Sequence, residues 1–330
     1  MSMSRKDFIK SSLLTSAGIS LGVNAAVANA AGTGKPSIAE GTFKNIAGEK
    51  MKVCIFSKQL QWLDYKEMAL SVAEMGFDGI DLTVRANGHV LPERVEQDLP
   101  KAVEFAEKAG IKIHMISTDI REASEPNTER VLKTAASLGI RRYRSNGLNY
   151  QAAMDIQANL ESIKRKFAGL AEINKKYGLQ SDYLNHSGEG FGASIWDLWL
   201  TLKDLDPKLV GSQFDINHAT IAGPFNWTTD LKLIHPYVHT TVIRDFKWEK
   251  VNNTWQATQT PLGTGMVDLK KYFSLMKKYN IPGPICIMCD YDLAGAEHGS
   301  KTLTGPKTIV LDAMKKDLNV VRGLMKEADL

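Results

Sequence analysis

The sequence predicts a single-domain α/β fold, a closed (β/α)8 barrel with a site on one rim. Three observations lead there. Short apolar runs alternate with helix-like segments eight times over residues 51–330, the count and length of a (β/α)8 domain. Four junctions (EMGFDGI, KAGIKI, SLGIRR and KYGLQS) place a glycine where a helical period stops and an apolar run begins, as a left-handed helix stop feeding a buried strand requires. Chemically active residues gather where apolar runs end: NHSGE at 185–189, FDINH at 214–218, RDF at 244–246 and CDYD at 289–292. Polar groups on the ends of separate parallel strands imply one shared site on the C-terminal face. A doubly wound open sheet would alternate similarly. Neither G-x-G-x-x-G nor G-x-x-x-x-G-K-[ST] occurs, however, so no nucleotide cofactor is expected.

The first strand is Lys52–Ser57, followed by a helix Tyr65–Met75 closed by Gly76. Gly79–Val84 alternates as strand two, and Pro92 opens the helix to Ala109, proline being tolerated in a first turn. Strand three is Lys112–Thr118 and its helix Thr128–Leu138; strand four is Arg141–Ser145, with a long helix Tyr150–Tyr177. Gln180–Asn185 and helix Ser194–Leu205 make the fifth pair, Leu209–Phe214 and Trp227–Ile234 the sixth. Val238–Ile243 is strand seven; an insertion at 247–266 separates it from helix Asp268–Tyr279. Pro284–Cys289 and Thr308–Glu327 complete the set.

Residues 1–30 read as an export signal: a charged SRKDFIK, an apolar stretch and a small-x-small Ala28-Asn29-Ala30. Arg5-Lys6 stands where a twin-arginine pair would. Residues 31–50 read as a linker, and an exported, periplasmic protein is expected. Of the formal charge of +4, Arg5, Lys6 and Lys10 against Asp7 account for a net two, leaving +2. So small a charge carries no nucleic-acid or anionic-membrane footprint, and no segment after the leader is apolar enough for a membrane span. With 43% hydrophobic residues a large core is expected. Cys54, Cys286 and Cys289 are too few for a disulfide framework. The C-x-x-C pair lies on a strand, where residues three apart face opposite ways, which opposes a shared zinc or redox role.

The strand ends carry Asp81, Arg85 and His89; His114, Ser117 and Asp119; Arg144 and Asn146; Asn185, His186 and Glu189; Asp215, Asn217 and His218; Arg244, Asp245 and Lys247; Asp290 and Asp292, then Glu297 and His298. Two carboxylates and a histidine from neighbouring strands can hold Mn²⁺, Mg²⁺, Co²⁺ or Zn²⁺. Such an ion polarises a sugar carbonyl while a carboxylate or imidazole moves the adjacent proton. Structural readings stand beside this one. Asp215 is equally an N-cap with His218 a satisfied rim histidine; His114, His235 and His239 read as structural; Trp196 and Trp199 read as packing; Trp227 and Trp248 fit either core or pocket.

In YLNHSGEGFGASIWDLW, GSQFDINHATIAGP, VIRDFKW, PLGTGMVDL and GPICIMCDYDLAGAEHG the chain resembles the xylose-isomerase-like TIM-barrel superfamily, often labelled sugar phosphate isomerase/epimerase. The resemblance covers about residues 50–328. It implies metal ligands at the ends of strands five to eight: Asp215 on strand six, Asp290 in the usual glutamate place on strand eight, and Glu189 after strand five unless Leu184 holds that place. Val242 stands where the strand-seven histidine is expected. Co-location at the predicted strand ends points to Glu189, His186, His218 and Asp290 as catalytic groups, and to Asn185, Arg244, Asp245, Trp248 and His298 as substrate contacts. The expected function is an exported carbohydrate isomerase, epimerase or lyase that abstracts a proton beside a sugar carbonyl, with a small carbohydrate as its partner. The alternative is a non-catalytic carbohydrate-binding barrel that has lost part of its metal site. Apurinic-site endonucleases share the superfold, but export, low net charge and the lack of a multi-histidine zinc set oppose DNA repair.

Overall fold

The computed structural model describes residues 51–330; the leader and linker expectations for 1–50 lie outside the described residues. Eight parallel strands close into a barrel: β1 (Val53–Phe56), β2 (Gly79–Val84), β3 (Lys112–Thr118), β4 (Arg142–Ser145), β5 (Gln180–Leu184), β6 (Val210–Asp215), β7 (Val238–Ile243) and β10 (Ile285–Ile287), which pairs with β1. Helices α1 (Tyr65–Met75), α2 (Val95–Lys108), α3 (Thr128–Ser137), α4 (Ile156–Tyr177), α5 (Ile195–Leu202), α6 (Ile216–Ala222), α7 (Trp227–Ile234), α8 (Leu269–Lys278) and α9 (Lys307–Glu327) alternate with them.

The junction glycines do what their positions require. Gly76 and Gly178 close α1 and α4 at φ 94° and 65°. Gly110 and Gly139 are also left-handed, at 78° and 79°. The long helix starts at Ile156 and not at Tyr150, because Asp155 caps it by accepting from Ala158 N at 2.7 Å. Three elements were not anticipated. Ser57–Leu60 forms a 3₁₀ turn directly after β1. α6 starts immediately at the end of β6, capped by Asp215. The insertion at 247–266 is largely an antiparallel hairpin, β8 (Asp245–Val251) and β9 (Thr254–Thr260). Asn252 and Asn253 turn it at φ 48° and 63°, the left-handed pair that a two-residue hairpin turn demands.

Strand alternation divides the side chains into two layers. Outward residues such as Tyr143, Tyr183, Phe214 and Ile243 pack with the helices in the main core. Inward, a small cluster of Phe56, Val242, Cys286 and Met288 with Leu184 sits near the C-terminal rim. Cys286 therefore lies inside the barrel, its thiol 3.5 Å from Asp81 Oδ2, while Cys289 lies in the outer core, 3.4 Å from Asp317 Oδ2. Burial pushes both thiols up, so neither supplies a ready thiolate.

At the opposite end His239 donates from Nδ1 to Asp182 at 2.6 Å, and Thr240 Oγ1 donates to the other Asp182 oxygen at 2.9 Å. His239 is structural, as expected. His235 bonds Lys232 O and stacks on Tyr279 at 4.4 Å, and His114 packs against Gly79.

Gly211, the first residue of the GSQFDINH stretch, has no room for a side chain. A Cβ there would strike the Tyr237 carbonyl oxygen and the His239 ring. Overfilling a packed core costs about 1–3 kcal/mol. Gly211→Ala should therefore lower the thermal midpoint by several degrees, roughly 2–4 °C per kcal/mol; calorimetry checks it, and an unchanged midpoint would show that β6 and β7 can separate at this level without cost.

Candidate active site

Everything at the C-terminal rim is arranged around Asp215. The strand ends on this residue, and its backbone turns at once into α6. Its Oδ1 accepts from His218 N at 3.0 Å, the N-cap bond. The three-residue spacing of Asp215 and His218 is therefore that of a cap. Its Oδ2 accepts from Arg244 Nε at 2.8 Å and Nη2 at 2.5 Å. Arg244 follows β7, and its Nη1 donates to Asp290 Oδ2 at 2.5 Å. The other Asp290 oxygen accepts from Lys58 Nζ at 2.6 Å and Gln59 Nε2 at 3.0 Å. One chain of charge-assisted bonds thus runs Asp215–Arg244–Asp290–Lys58 across β6, β7, β10 and the turn after β1.

Asp215 is fully buried and Arg244 is 8% exposed. Burial by itself lowers a guanidinium, but Asp215 and Asp290 outweigh it and raise Arg244. Burial by itself raises Asp290, but Arg244 and then Lys58 outweigh it and hold the carboxyl low. Asn185 fixes the Asp215 backbone: its Nδ2 donates to Asp215 O at 3.0 Å and its Oδ1 accepts from Asp215 N at 2.7 Å.

Beside this chain sits His218. Its ring packs on His186 at a centroid distance of 3.7 Å, and Nδ1 meets Ser187 Oγ at 2.8 Å. Nε2 is buried and has no partner. Burial first, then Arg244 and His186, push its pKa far down, so the ring is neutral across the physiological range.

The expected site residues divide accordingly. Asp215, Arg244, Asp290 and His218 converge. His186 and Glu189 lie on the exposed loop after β5; His186 reaches His218, and Glu189 does not join the cluster. Asn185, expected as a substrate contact, is 2% exposed and hydrogen-bonds the Asp215 backbone through both Nδ2 and Oδ1, so it positions that residue. Asp245, also expected as a substrate contact, has a backbone-organising role in the structure. It is 1% exposed and accepts the backbone N–H of Phe246, Gly263, Gly265 and Val267 at 2.9–3.1 Å, which organises the PLGTGMV loop. Trp248 is on the hairpin, edge-on to Phe246 at 5.9 Å. The His298 side chain is 85% exposed and pairs with Glu297. Lys58 and Gln59 were not anticipated, since they lie beyond the first strand in a turn with no periodic signal.

The donor set does not fit the divalent ion implied by the resemblance. Asp215 and Asp290 converge on a guanidinium, Glu189 faces solvent, and Leu184 and Val242 are apolar neighbours in the inner cluster. Among the described residues no group of three His, Cys, Asp or Glu side chains is placed to hold a metal. No helix among them is long and apolar enough to cross a membrane.

Removing the guanidinium should expose the electrostatics. In the native chain the depressed Asp290 stabilises the fold above the ordinary aspartate value of about 4, a contribution lost as pH falls through its lower folded value. In Arg244→Gln, burial dominates at Asp290 and its carboxyl rises, so stability is lost as pH increases. Breaking a buried pair costs about 3–5 kcal/mol. Thermal midpoints from pH 4 to 8 should show the largest deficit at pH 8 and a narrowing gap toward acid; a pH-independent gap would mean that the carboxylates are not held by Arg244.

Comparison with known proteins bears on the same face. Residues 70–305 match the family model described as a xylose isomerase-like TIM barrel. No curated protein sequence matches. The solved 3-keto-D-glucoside 4-epimerase from E. coli is 13% identical with a TM-score of 0.62, covering 83% of this chain and 100% of that one. A xylose isomerase-like TIM barrel protein from Mycobacterium smegmatis in complex with magnesium is 15% identical with a TM-score of 0.57, covering 84% and 98%. D-allulose 3-epimerase from Methylomonas sp. in complex with D-allulose is 13% identical with a TM-score of 0.59, covering 83% and 97%. At these identities the likeness to the solved structures is one of fold. The family match, by contrast, spans most of the chain, including Asp215, His218, Arg244 and Asp290: the chain belongs to the xylose isomerase-like TIM barrel family.

Proposed function

We propose that the protein is a carbohydrate isomerase, epimerase or lyase that moves a proton at the carbon beside a sugar carbonyl, with Arg244 and Lys58 supplying the positive charge at the reacting oxygen. The observation that carries this reading is the juxtaposition of a rigidly held guanidinium with the buried, unpartnered Nε2 of His218. Similarity in fold to enzymes named as a 3-keto-D-glucoside 4-epimerase and a D-allulose 3-epimerase supports the substrate class. The leader-like residues 1–30 support an exported protein, which would meet free sugars, glycosides and keto sugars.

The chemistry follows from the unused bonding capacity. A guanidinium has five N–H donors; three of Arg244's are spent on Asp215 and Asp290, which leaves two. Lys58 has one carboxylate partner and retains further donors. A substrate carbonyl oxygen placed between them gains negative charge as the adjacent C–H bond breaks. Fixed donors stabilise that charge more in the transition state than in the ground state. His218, neutral and with Nε2 free when Nδ1–H donates to Ser187 Oγ, accepts the proton, the negative charge developing on the substrate offsetting the burial and the Arg244 charge that disfavour its protonated ring; the exposed His186 packs against its face. Asp215 and Asp290 hold Arg244 in place. No step needs a divalent ion, because the chain's own cations already occupy the carboxylates that would bind one.

The test is deuterium incorporation followed by NMR with ketohexoses and 3-keto-glucosides, in chelator and with added Mn²⁺. Exchange should occur and differ by less than about twofold between the two conditions. His218→Gln should slow it roughly 100-fold or more, the scale of a lost general base. Binding without exchange in a folded protein would instead identify a carbohydrate-binding barrel. A strict Mn²⁺ requirement would overturn the role given to Arg244.

A further inference from the structure

Two other arginines reach the same rim without a carboxylate hydrogen-bonded to either guanidinium; Asp81 attracts both, but only from a distance. Arg144, on the inward face of β4, crosses the barrel to lie over Phe56 at 4.8 Å from the ring centroid. Arg85, just beyond β2, lies over the same ring at 5.5 Å. Arg144 is 8% exposed and Arg85 half-buried. Neither guanidinium has a hydrogen bond or ion pair with any described residue.

The nearby carboxylates are committed elsewhere. Asp290 is taken by Arg244, Lys58 and Gln59. Asp81 accepts from Ser117 Oγ at 2.7 Å and from the Cys286 thiol at 3.5 Å. Asp119 accepts from Ala86 N at 2.7 Å. A buried guanidinium cannot shed its proton, and desolvating it is costly without an anion. Contact with one phenyl face offsets only part of that cost. Two guanidinium groups sharing that face also repel each other: burial first and Arg144 second push Arg85 below its ordinary value, and the attraction of Asp119, Asp81 and Asp290 offsets this only in part.

We propose that Arg85 and Arg144 receive an oxyanion carried by the substrate, a carboxylate or phosphate on the sugar, on the Phe56 side of the mouth next to the Asp290–Arg244 pair. The proposal rests on the reading that this mouth binds a carbohydrate, and it adds that the carbohydrate is acidic. Two guanidinium forks suit such a group because each can give two parallel N–H bonds to one oxyanion.

Calorimetric titration of the full chain with glucuronate, glucose 6-phosphate, glucose and inorganic phosphate, at low and high salt, tests it. One of the acidic sugars should bind about tenfold or more tighter than glucose, with the preference shrinking at high salt. Which of the two binds identifies carboxylate or phosphate. In Arg144→Gln and Arg85→Gln, each checked by circular dichroism, the preference should collapse toward unity. Should Arg144→Gln fail to fold, the half-buried Arg85 carries the test. No preference for either acidic sugar, or folded variants that keep it, would overturn the proposal. Anion preference without deuterium exchange keeps this site and removes the proposed chemistry; exchange on neutral sugars without anion preference does the reverse.

Discussion

The Asp215–Arg244–Asp290 bridge is the constraint on which the rim depends. Two buried carboxylates from β6 and from the end of β10 stand too close together and too dry to remain charged unaided. A carboxylate in such a place costs several kcal/mol unless a cation faces it. Arg244 meets both with three short bonds and cannot deprotonate. Lys58 completes the neutralisation from the turn after β1. The same four charges therefore settle the electrostatics and tie together strand ends on both sides of the closure between β10 and β1.

From that bridge the rest of the site follows. Asp215 can act as counter-ion and N-cap together because its two oxygens point different ways, one to the guanidinium and one to His218 N. Asn185 makes this possible by clamping the Asp215 backbone from the next strand. His218 is delivered to the rim by the first turn of α6, where Arg244 and burial keep its ring neutral. In a family that includes a structure holding magnesium, this chain places an organic cation between the carboxylates. A guanidinium is planar, directional and permanently charged, whereas a metal exchanges and rearranges its ligands. The two carboxylates are accordingly held in one fixed arrangement.

The barrel interior near the C-terminal rim is largely polar. Phe56, Val242, Met288 and Leu184 form only a small apolar patch. Asp81, Ser117 and Arg144 share the interior space above and beside it. The cations at the rim, Lys58, Arg85, Arg144 and Arg244, come from strands one, two, four and seven or the turns just after them, so no single stretch of the chain is conspicuously basic.

The sequence by itself determined the eight-fold alternation, the glycine stops and the rim on which the chemistry collects, because period, helix stops and strand length are local properties. It pointed to Asp215, His218, Arg244 and Asp290, since each lies at or just beyond the end of a recognisable strand, and it separated Cys286 from Cys289 by strand alternation alone. Only the tertiary structure decided which of these residues touch. Asn185 and Asp245 looked like exposed contacts, yet their hydrogen bonds go to backbone 30 residues away and up to 22 residues away, distances over which sequence carries no bonding information. Lys58 meets Asp290 across 232 positions. Whether two carboxylates close on a metal or on an arginine depends on which long side chain reaches the gap first, and that is set by barrel closure, not by any local pattern.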